Sequence, residues 1–351
     1  DFNKVSGISS MQLTNNSSAA ATNTLKSLPS ALKTINMADT AALTAVDTLA
    51  LTYSSGPSSL TINAFDVMNA VTNITSLNAP LVINGKLTTN LLGDAQVFTG
   101  AEGSYLGAMT TDASTITLST DALPVGSYSG FELGVGAITD TVLQSLTITA
   151  GAYADIGIGD SLSSSMTASA VTTTNSEFSA LTISTGTGAA VKMGAVTADS
   201  ATAVAVGVSP GTQGSATLGA MSVAAGTLSL SGTFGDQATG SFSTATGLKI
   251  GSSNFTIGAG TTVTLPQLQV NAVTGTIGST TISAGVSSTV TQNIATNGAG
   301  AAGGSAPQSI GAINATGSGT VVVNIGVPNA ATDIASTASP AASAVGAVSA
   351  A

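Results

Sequence analysis

Apolar and polar residues alternate in short runs along most of the chain from Leu60 onward. Each run places two apolar side chains on one face with a polar residue between them, as in a half-buried β-strand. Gly, Asn, Asp and Ser-Gly fill the gaps between runs, as turns require. The apolar pairs are Leu60 and Ile62, Leu81 and Ile83, Ile116 and Leu118, Leu146 and Ile148, Leu181 and Ile183, Leu228 and Leu230, Leu248 and Ile250, Phe255 and Ile257, and Val263 and Leu265. The pattern predicts an all-β fold.

A short motif, in which Gly-Ala stands between two apolar residues, occurs five times, each time before an alternating run; two of these runs add the apolar pairs Val204 and Val206, and Val321 and Val323. Its glycines are Gly107, Gly136, Gly194, Gly219 and Gly311, and the first apolar residue of the next run follows 9 or 10 residues later. Neighbouring copies lie 29 (107→136) or 25 (194→219) residues apart, and 136→194 is twice 29. This period predicts a β-solenoid of β-helix-like coils. A stacked β-sandwich is the alternative, because the copies are irregular after Gly232.

The pattern divides the chain into five segments. Residues 1–59 predict a small mixed region that includes a possible assembly segment. Ser27 to Asp47 there fits a helix through Leu28, Leu32 and Ile35, and also fits strands at 34–37 and 48–51. Residues 60–296 form the repetitive β-rich body, in which only Phe65 to Val71 fits a helical turn. Residues 297–308 are a Gly/Ala-rich linker, 309–328 a terminal strand pair, and 329–351 a flexible Ala/Ser-rich tail.

Composition narrows the function. Hydrophobic residues make up 43% of the chain and aromatic residues 3%, without Trp, so thin layers of small side chains must form the core. Charged residues make up only 6%, against a usual share of roughly 25%. Such a surface favours lateral and edge pairing between copies. The net charge is −10 and Arg is absent, which argues against nucleic-acid binding.

The residues needed for common catalytic centres are scarce. His and Cys are absent, so the chain has no imidazole base, thiol nucleophile, disulfide or Cys/His metal site. Lys192 and Lys249 are the candidates for a Ser-Lys arrangement, and each is better explained as solvated. With Glu102, Glu132 and Glu177 as the only Glu residues and no Trp to stack a sugar, a glycosidase is disfavoured. We expect no enzyme, and no apolar run of about 18 residues predicts a transmembrane segment.

Several aspartates occupy turn positions that suit a calcium ion. Asp155 and Asp160 flank Ile-Gly-Ile-Gly, where glycines let carboxylates and carbonyls converge on a hard cation. Asp112 and Asp199 follow their Gly-Ala glycine by five residues, and Asp140 follows its own by four. The five aspartates are therefore candidate Ca²⁺ ligands. The alternative is that Asp is simply a favoured turn residue.

The Thr/Ser/Ala/Gly-rich composition without Arg or Cys, and strands such as 145–149 (SLTIT) and 180–184 (ALTIS), resemble bacterial surface-layer proteins and related secreted surface proteins. The resemblance implies β-rich, often solenoidal chains that tile into lattices or fibres, frequently with Ca²⁺.

These observations together predict an extracellular, self-assembling structural protein at the cell surface: the subunit of a surface layer, sheath or filament. Its main partner is itself, and a cell-surface polysaccharide is a second candidate. Either end could supply an exchanged strand, from Asp1 to Leu13 or from Ser305 to Val327. The alternative is an adhesin or passenger domain that binds host or surface glycans or proteins, which would need a groove lined by aromatic or charged residues. A polysaccharide lyase on a β-helix would need Arg or Lys beside clustered Asp, and Arg is absent.

Overall fold

A computed structural model describes residues 2, 5–15, 22–39, 47–65, 68–86, 103–123, 133–159, 169–270, 275–295, 309–327, 344–345 and 348–350. These residues form strands and turns, and no helix occurs among them. The all-β prediction is therefore confirmed. Contacts divide the chain into two compact units, one formed by 1–175 with 189–195 and the other by 176–188 with 196–351.

The strands are numbered in chain order. The first seventeen are β1 (Ser10–Asn15), β2 (Thr22–Leu28), β3 (Thr34–Asp39), β4 (Asp47–Tyr53), β5 (Leu60–Phe65), β6 (Met68–Thr75), β7 (Leu81–Lys86), β8 (Ser104–Leu106), β9 (Met109–Thr111), β10 (Thr115–Thr120), β11 (Leu133–Val135), β12 (Ile138–Asp140), β13 (Ser145–Ala150), β14 (Asp155–Ile158), β15 (Ser169–Thr173), β16 (Ala180–Thr185) and β17 (Ala190–Met193). The others are β18 (Ala195–Thr197), β19 (Ala203–Pro210), β20 (Ser215–Leu218), β21 (Met221–Phe234), β22 (Thr239–Phe242), β23 (Thr244–Ile250), β24 (Ser253–Ile257), β25 (Thr262–Thr264), β26 (Gln267–Val270), β27 (Thr276–Ile277), β28 (Thr280–Ala284), β29 (Thr289–Ala295), β30 (Ser309–Ile310), β31 (Ile313–Gly317), β32 (Thr320–Val327), β33 (Ala344–Val345) and β34 (Val348–Ala350).

In the first unit, each strand pairs in parallel with the equivalent strand of the next coil. One sheet runs β1-β3-β5-β7-β10-β13. On the opposite side, three successive coils each have a single strand: β2, β4 and β6. In the following coils two short strands take the place of that single strand, since β6 pairs with both β8 and β9. The split gives the ladders β8-β11-β14-β17 and β9-β12-β15. This is the stacked-coil architecture of a β-solenoid rather than a sandwich of antiparallel sheets.

The second unit repeats the same plan. One sheet contains β16, β19, the second half of β21, β24, β28, β31 and β34. A second contains β20, β22, β25, β29 and β32. The third is built on β18, the first half of β21, β23 and β26. Because β21 runs through a corner without a break, its two halves serve different sheets.

Coil length varies more than the 25 to 29 residues predicted from the Gly-Ala copies. Register offsets in the first unit range from 21 residues, between Leu60 and Leu81, to 37, between Met68 and Tyr105. The interval 136→194 contains two coils of unequal length: Leu133 pairs with Ile156, 23 residues on, and Ile156 pairs with Val191, 35 residues on. The strand ladder sets a local register, whereas the loops between strands absorb the differences in length.

The Gly-Ala motif marks a corner at which successive coils touch. The Gly136 amide donates to the Leu106 carbonyl (2.9 Å). A Cβ on Gly136 would lie 2.3 Å from the backbone nitrogen of Ala108, so only glycine fits. Four copies occupy this corner, between β8 and β9, β11 and β12, β17 and β18, and β20 and β21. The fifth is different: Gly311 precedes β31 and donates to the Ile277 carbonyl (2.8 Å), at another corner of its coil.

Columns of Leu, Ile and Val fill the interior of the coils. In the first unit, Leu60, Leu81, Ile116 and Leu146 are in register across four coils, and each is at most 1% exposed. Burying each such side chain contributes about 1.5–3 kcal/mol, as an upper bound. Aromatic residues appear locally, as in the second unit, where the Phe234 and Phe242 rings meet edge to face at 6.1 Å. Thin layers of small apolar side chains are the core that the composition predicts.

Several predictions for the chain ends need correction. The described part of 1–59 belongs to the coils, and β3 pairs with β5 across the predicted boundary at 60. The helix between Ser27 and Asp47 is wrong for its described residues, because 27–39 consist of the end of β2, a turn and β3. Phe65 to Val71 lies in β5 and β6, except for 66–67, which are outside the described residues.

At the other end, β31 and β32 pair with β28 and β29 of the preceding coil. The predicted exchange segments thus contain strands that pair within their own chain. Residues 297–308 lie outside the described part. In the tail, 344–345 and 348–350 form β33 and β34, which pair with β30 and β31.

Candidate functional site

Two of the five candidate calcium ligands accept hydrogen bonds from a neighbouring coil. The Asp112 carboxylate accepts the backbone N–H groups of Ser76 (2.8 Å) and Leu77 (2.9 Å). The Asp199 carboxylate accepts the Ala224 N–H (3.2 Å) and the Ser222 hydroxyl. Both aspartates lie at turns between strands, where the backbone cannot satisfy its own amides. A carboxylate from the adjacent coil supplies the missing acceptor.

Asp140 performs the same role from a buried position. Its side chain is 1% exposed and accepts the N–H groups of Ala113 (2.9 Å) and Val142 (2.7 Å). Thr111 and Thr173 flank it in register on the neighbouring coils. Desolvation raises the pKa of Asp140 to about 6, against the lowering effect of its backbone hydrogen bonds, and the nearby charge of Asp112 adds to the rise. Asp140 is thus a carboxyl group with a perturbed pKa inside the coil stack.

Of the remaining pair, the structure describes Asp155 alone. Asp155 accepts the Ala190 N–H (2.8 Å) across the ladder between β14 and β17. Burial raises its pKa, opposed by that hydrogen bond and by the charge of Lys192. Asp160 lies outside the described residues. Within the described part of the chain, no three acidic side chains converge in a way that could hold a metal ion. The calcium site stays a prediction.

Turns of one type connect one sheet to the next and recur along the chain. They are distinct from the Gly-Ala motif. Each has glycine first, a residue with positive φ third and a small residue fourth. The six copies are 151–154 (GAYA), 186–189 (GTGA), 211–214 (GTQG), 235–238 (GDQA), 258–261 (GAGT) and 285–288 (GVSS), with φ between 56° and 64° at the third position. The signal was present in the sequence, since each copy directly follows an alternating strand.

Backbone hydrogen bonds stack these turns. The Gly258 amide donates to the Phe234 carbonyl (2.8 Å), and the Gly285 amide donates to the Ile257 carbonyl (2.8 Å). Side chains add to the stack, because the Gln213 amide donates to the Gln237 side-chain oxygen (3.0 Å). We name these six segments the corner turns. They fix the register of successive coils.

Outward-facing side chains form uncharged columns along the sheets. In the first unit, Asn36, Asn63 and Asn84 are in register, and each successive side-chain amide donates to the preceding side-chain oxygen at 2.8 Å. The Ser119 hydroxyl continues the column by donating to Asn84. The ion pair found among the described residues joins Lys86 Nζ to Asp121 Oδ1 (2.8 Å). These outer surfaces therefore present amides and hydroxyls rather than charges.

In the second unit, one sheet carries Ser and Thr at nearly every outward position. Its strands β20, β22, β25, β29 and β32 pair residue for residue over Ser215, Thr239, Thr262, Thr289 and Thr320. A parallel column two residues further along contains Thr217, Ser241, Thr264 and Thr291 and ends at Val322. Alternate positions of these strands point inward and are mostly buried. Composition indicated a polar uncharged surface, but only the register shows that the hydroxyls align.

Those of the other candidate reactive groups that the structure describes do not form a centre. Lys249 is exposed on β23, and Lys192 lies on β17 near Asp155. Glu177 is exposed in a turn, while Glu102 and Glu132 lie outside the described residues. That the chain is not an enzyme stays a prediction.

Comparisons with protein-family models, with curated proteins and with solved structures find no match to this chain. The described residues contain no helix that is long and apolar enough to cross a membrane. The functional argument therefore rests on the geometry of the chain itself.

Proposed function

We propose that the chain is a self-assembling structural protein of the cell surface, the subunit of a layer, sheath or filament. The observation that carries this proposal is the set of outward columns, in which uncharged Ser, Thr and Asn repeat in register over successive coils. Repetition presents the same small pattern many times, so one weak contact between copies is multiplied along the surface.

Two further features support a mechanical role. Parallel backbone ladders run through every coil of each unit, and such ladders make a stiff body without large aromatic clusters. The low charge reduces the repulsion that would keep copies apart. A surface of this kind suits an extracellular assembly in which copies pack side by side, and cell-surface polysaccharide is a second candidate partner.

Calcium belongs to this proposal as a regulator of assembly. The net charge of −10 and the turn aspartates make binding of a divalent cation plausible in chemical terms. Asp112, Asp140, Asp155 and Asp199 already accept backbone N–H groups. Calcium would have to share these carboxylates with the turns, so we expect it to stiffen existing turns.

The test is negative-stain electron microscopy of the purified chain with and without Ca²⁺. We expect ordered sheets, tubes or fibres, with larger ordered areas when Ca²⁺ is present. Isolated particles in both conditions, together with a monomer in sedimentation at high protein concentration, would contradict the proposal. A glycan-binding screen would then test the adhesin alternative.

A charge variant makes the test sharper. Thr182 and Ser283 are exposed on β16 and β28, which belong to the same outward sheet several coils apart. Thr182→Glu with Ser283→Glu adds two separated negative charges to that face of a chain whose net charge is already −10. We expect a higher protein concentration to be needed for assembly, whereas the control Thr182→Ser with Ser283→Thr assembles as the natural chain does.

A further inference from the structure

The aligned hydroxyls of the second unit form a surface with lattice-like order. We name it the hydroxyl array and define it as Ser215, Thr217, Thr239, Ser241, Thr262, Thr264, Thr289, Thr291 and Thr320. The array spans five consecutive coils in two columns, and the pairing has no register shift between its rows. All its members carry a hydroxyl and none carries a charge. Most of them are exposed, and Ser215 and Thr291 are partly so.

The composition of the array favours a fixed surface. Seven of its nine members are Thr, whose branched side chain restricts rotation about χ1. Each Thr presents a methyl group beside a hydroxyl that can donate one hydrogen bond and accept two. Inward neighbours on the same strands, such as Val263 and Val290, are at most 1% exposed and anchor the strands from below. The hydroxyls are therefore held by a packed scaffold.

The spacing of the array is set by the β-sheet. Rows on neighbouring strands lie about 4.8 Å apart, and the two columns lie about 6.6 Å apart because they are two residues apart on one strand. Waters that hydrogen-bond tetrahedrally at about 2.8 Å have second neighbours about 4.5 Å apart, and their layers repeat at about 7.4 Å. Over the four intervals between five rows the mismatch accumulates to only about 1.2 Å. Each row therefore stays within half a repeat of the water lattice.

We propose that the hydroxyl array is a binding site for the lattice of ice. An array without charge matches an uncharged crystal whose surface offers alternating hydrogen-bond donors and acceptors. The methyl groups fill the spaces between lattice waters, while the hydroxyls take the places of water oxygens. This activity is independent of the assembly proposed above, because it needs one unit of one chain.

Other occupants fit the array less well. Five rows by two columns cover roughly 300 Å², so a contact between copies would need further surface beside the array to reach the roughly 800 Å² per partner of a stable protein interface. A sugar site would need an aromatic platform, and the array contains no aromatic residue. A crystal surface repeats at every step, so a match of spacing can compensate for a small area.

The test measures how the labelled protein partitions into a slowly growing ice hemisphere, with inhibition of ice recrystallisation as a second readout. We expect the natural chain to enter the ice. Thr262→Tyr with Thr264→Tyr places two bulky outward side chains on the central row. We expect about a ten-fold lower ice-bound fraction, because the rings hold the neighbouring hydroxyls off the lattice.

A matched control lies in the same coil. Asn254 and Thr256 are both exposed, two residues apart on β24, which belongs to a different sheet of that coil. Asn254→Tyr with Thr256→Tyr should bind ice as well as the natural chain, and circular dichroism should show both variants folded. Equal loss in both variants would overturn the proposal.

The outcomes also separate this proposal from assembly. A natural chain that partitions into ice no better than serum albumin overturns the ice proposal, whether or not ordered assemblies are seen by microscopy. If the chain stays out of the ice and Thr262→Tyr with Thr264→Tyr abolishes assemblies, the array is instead a contact between copies. Ice binding by a chain that never assembles would support this proposal and contradict the other.

Discussion

Asp140 shows how a single residue joins the coils and makes their stability depend on pH. Its carboxylate is surrounded by backbone amides of Ala113, Val142 and Leu143 and faces the charge of Asp112. The hydrogen bonds stabilise the charged form, whereas burial disfavours it more strongly, and the pKa rises to about 6. A group with a raised pKa binds its proton more tightly in the folded state than in the unfolded state. It therefore destabilises the fold once pH exceeds the folded pKa.

We accordingly expect the contribution of Asp140 to stability to be full below its ordinary pKa of 3.8 and to be lost as pH rises through about 6. Between pH 7 and pH 4.5 the natural chain should gain about 1–2 kcal/mol from this residue, after allowance for solvent screening. Asp140→Asn removes the titration, so the difference in free energy of unfolding between the two proteins should change over this range. Denaturant unfolding at several pH values measures it.

Asp236→Asn is the control for that experiment. Asp236 is exposed and accepts one backbone N–H, from Ala259 (2.8 Å), at a corner turn. This control measures what the loss of an exposed capping carboxylate costs, and the two variants are compared at each pH. An Asp140→Asn protein whose stability difference from the natural chain is constant across pH would show that Asp140 does not titrate in this range.

At the scale of elements, the corner turns determine where each sheet ends. Gly258 occupies the first position of one corner turn, against the equivalent Gly235 of the preceding coil. A Cβ on Gly258 would lie 2.6 Å from the Gly235 carbonyl carbon and 2.7 Å from the Asp236 nitrogen. These neighbours are backbone atoms that cannot move aside without opening the ladder. Gly258→Ala should therefore cost about 1–3 kcal/mol of stability, as overpacking does elsewhere.

Thermal unfolding of Gly258→Ala beside Gly207→Ala tests this expectation. A Cβ on Gly207, in strand β19, would have Ser231 Oγ as its nearest neighbour at 3.7 Å, an ordinary contact. The control should lie close to the natural chain and could gain a little, because Ala restricts the unfolded chain more than Gly does. Equal melting temperatures for the two variants would mean that the corner turns tolerate side chains.

The elements also show what could be predicted from the sequence. Alternation located the strands well from Leu60 onward, because each strand has one buried and one polar face. It failed near Leu28, Leu32 and Ile35, whose spacing imitates a helix. All three are fully buried, but they reach the core from a strand end, a turn and a new strand. A tight corner can place apolar residues at helical intervals without any helix.

The candidate site was less accessible to sequence reasoning. Asp112 and Asp199 lie between strands as predicted, whereas Asp140 is the last residue of β12. Each accepts a backbone N–H from an adjacent coil, 25 to 36 residues away in the sequence. The hydroxyl array was invisible for the same reason. Which Thr of one coil lies beside which Thr of the next depends on coil lengths, and these vary from 21 to 37 residues within the first unit alone.

At the scale of the molecule, each unit is a stack in which a coil touches mainly its two neighbours. Such stacks behave approximately as one-dimensional chains of coupled repeats, whose stability is the sum of local and nearest-neighbour terms. Damage to one coil should therefore spread a short distance and then fade. Leu146 in the first unit and Leu228 in the second are each at most 1% exposed and offer equivalent places to introduce such damage.

We expect Leu146→Ala and Leu228→Ala each to cost about 2–4 kcal/mol through loss of buried surface and the cavity left behind. Hydrogen exchange read by mass spectrometry should show the loss of protection concentrated around the mutated coil. For Leu228 the affected amides should centre on its register partners, near Val204 and Ile250. For Leu146 they should centre on its register partner Ile116. Each variant serves as the control for the other. If both variants lost protection evenly along the chain, the two units would unfold as one cooperative body, and local coupling between coils would not describe the protein.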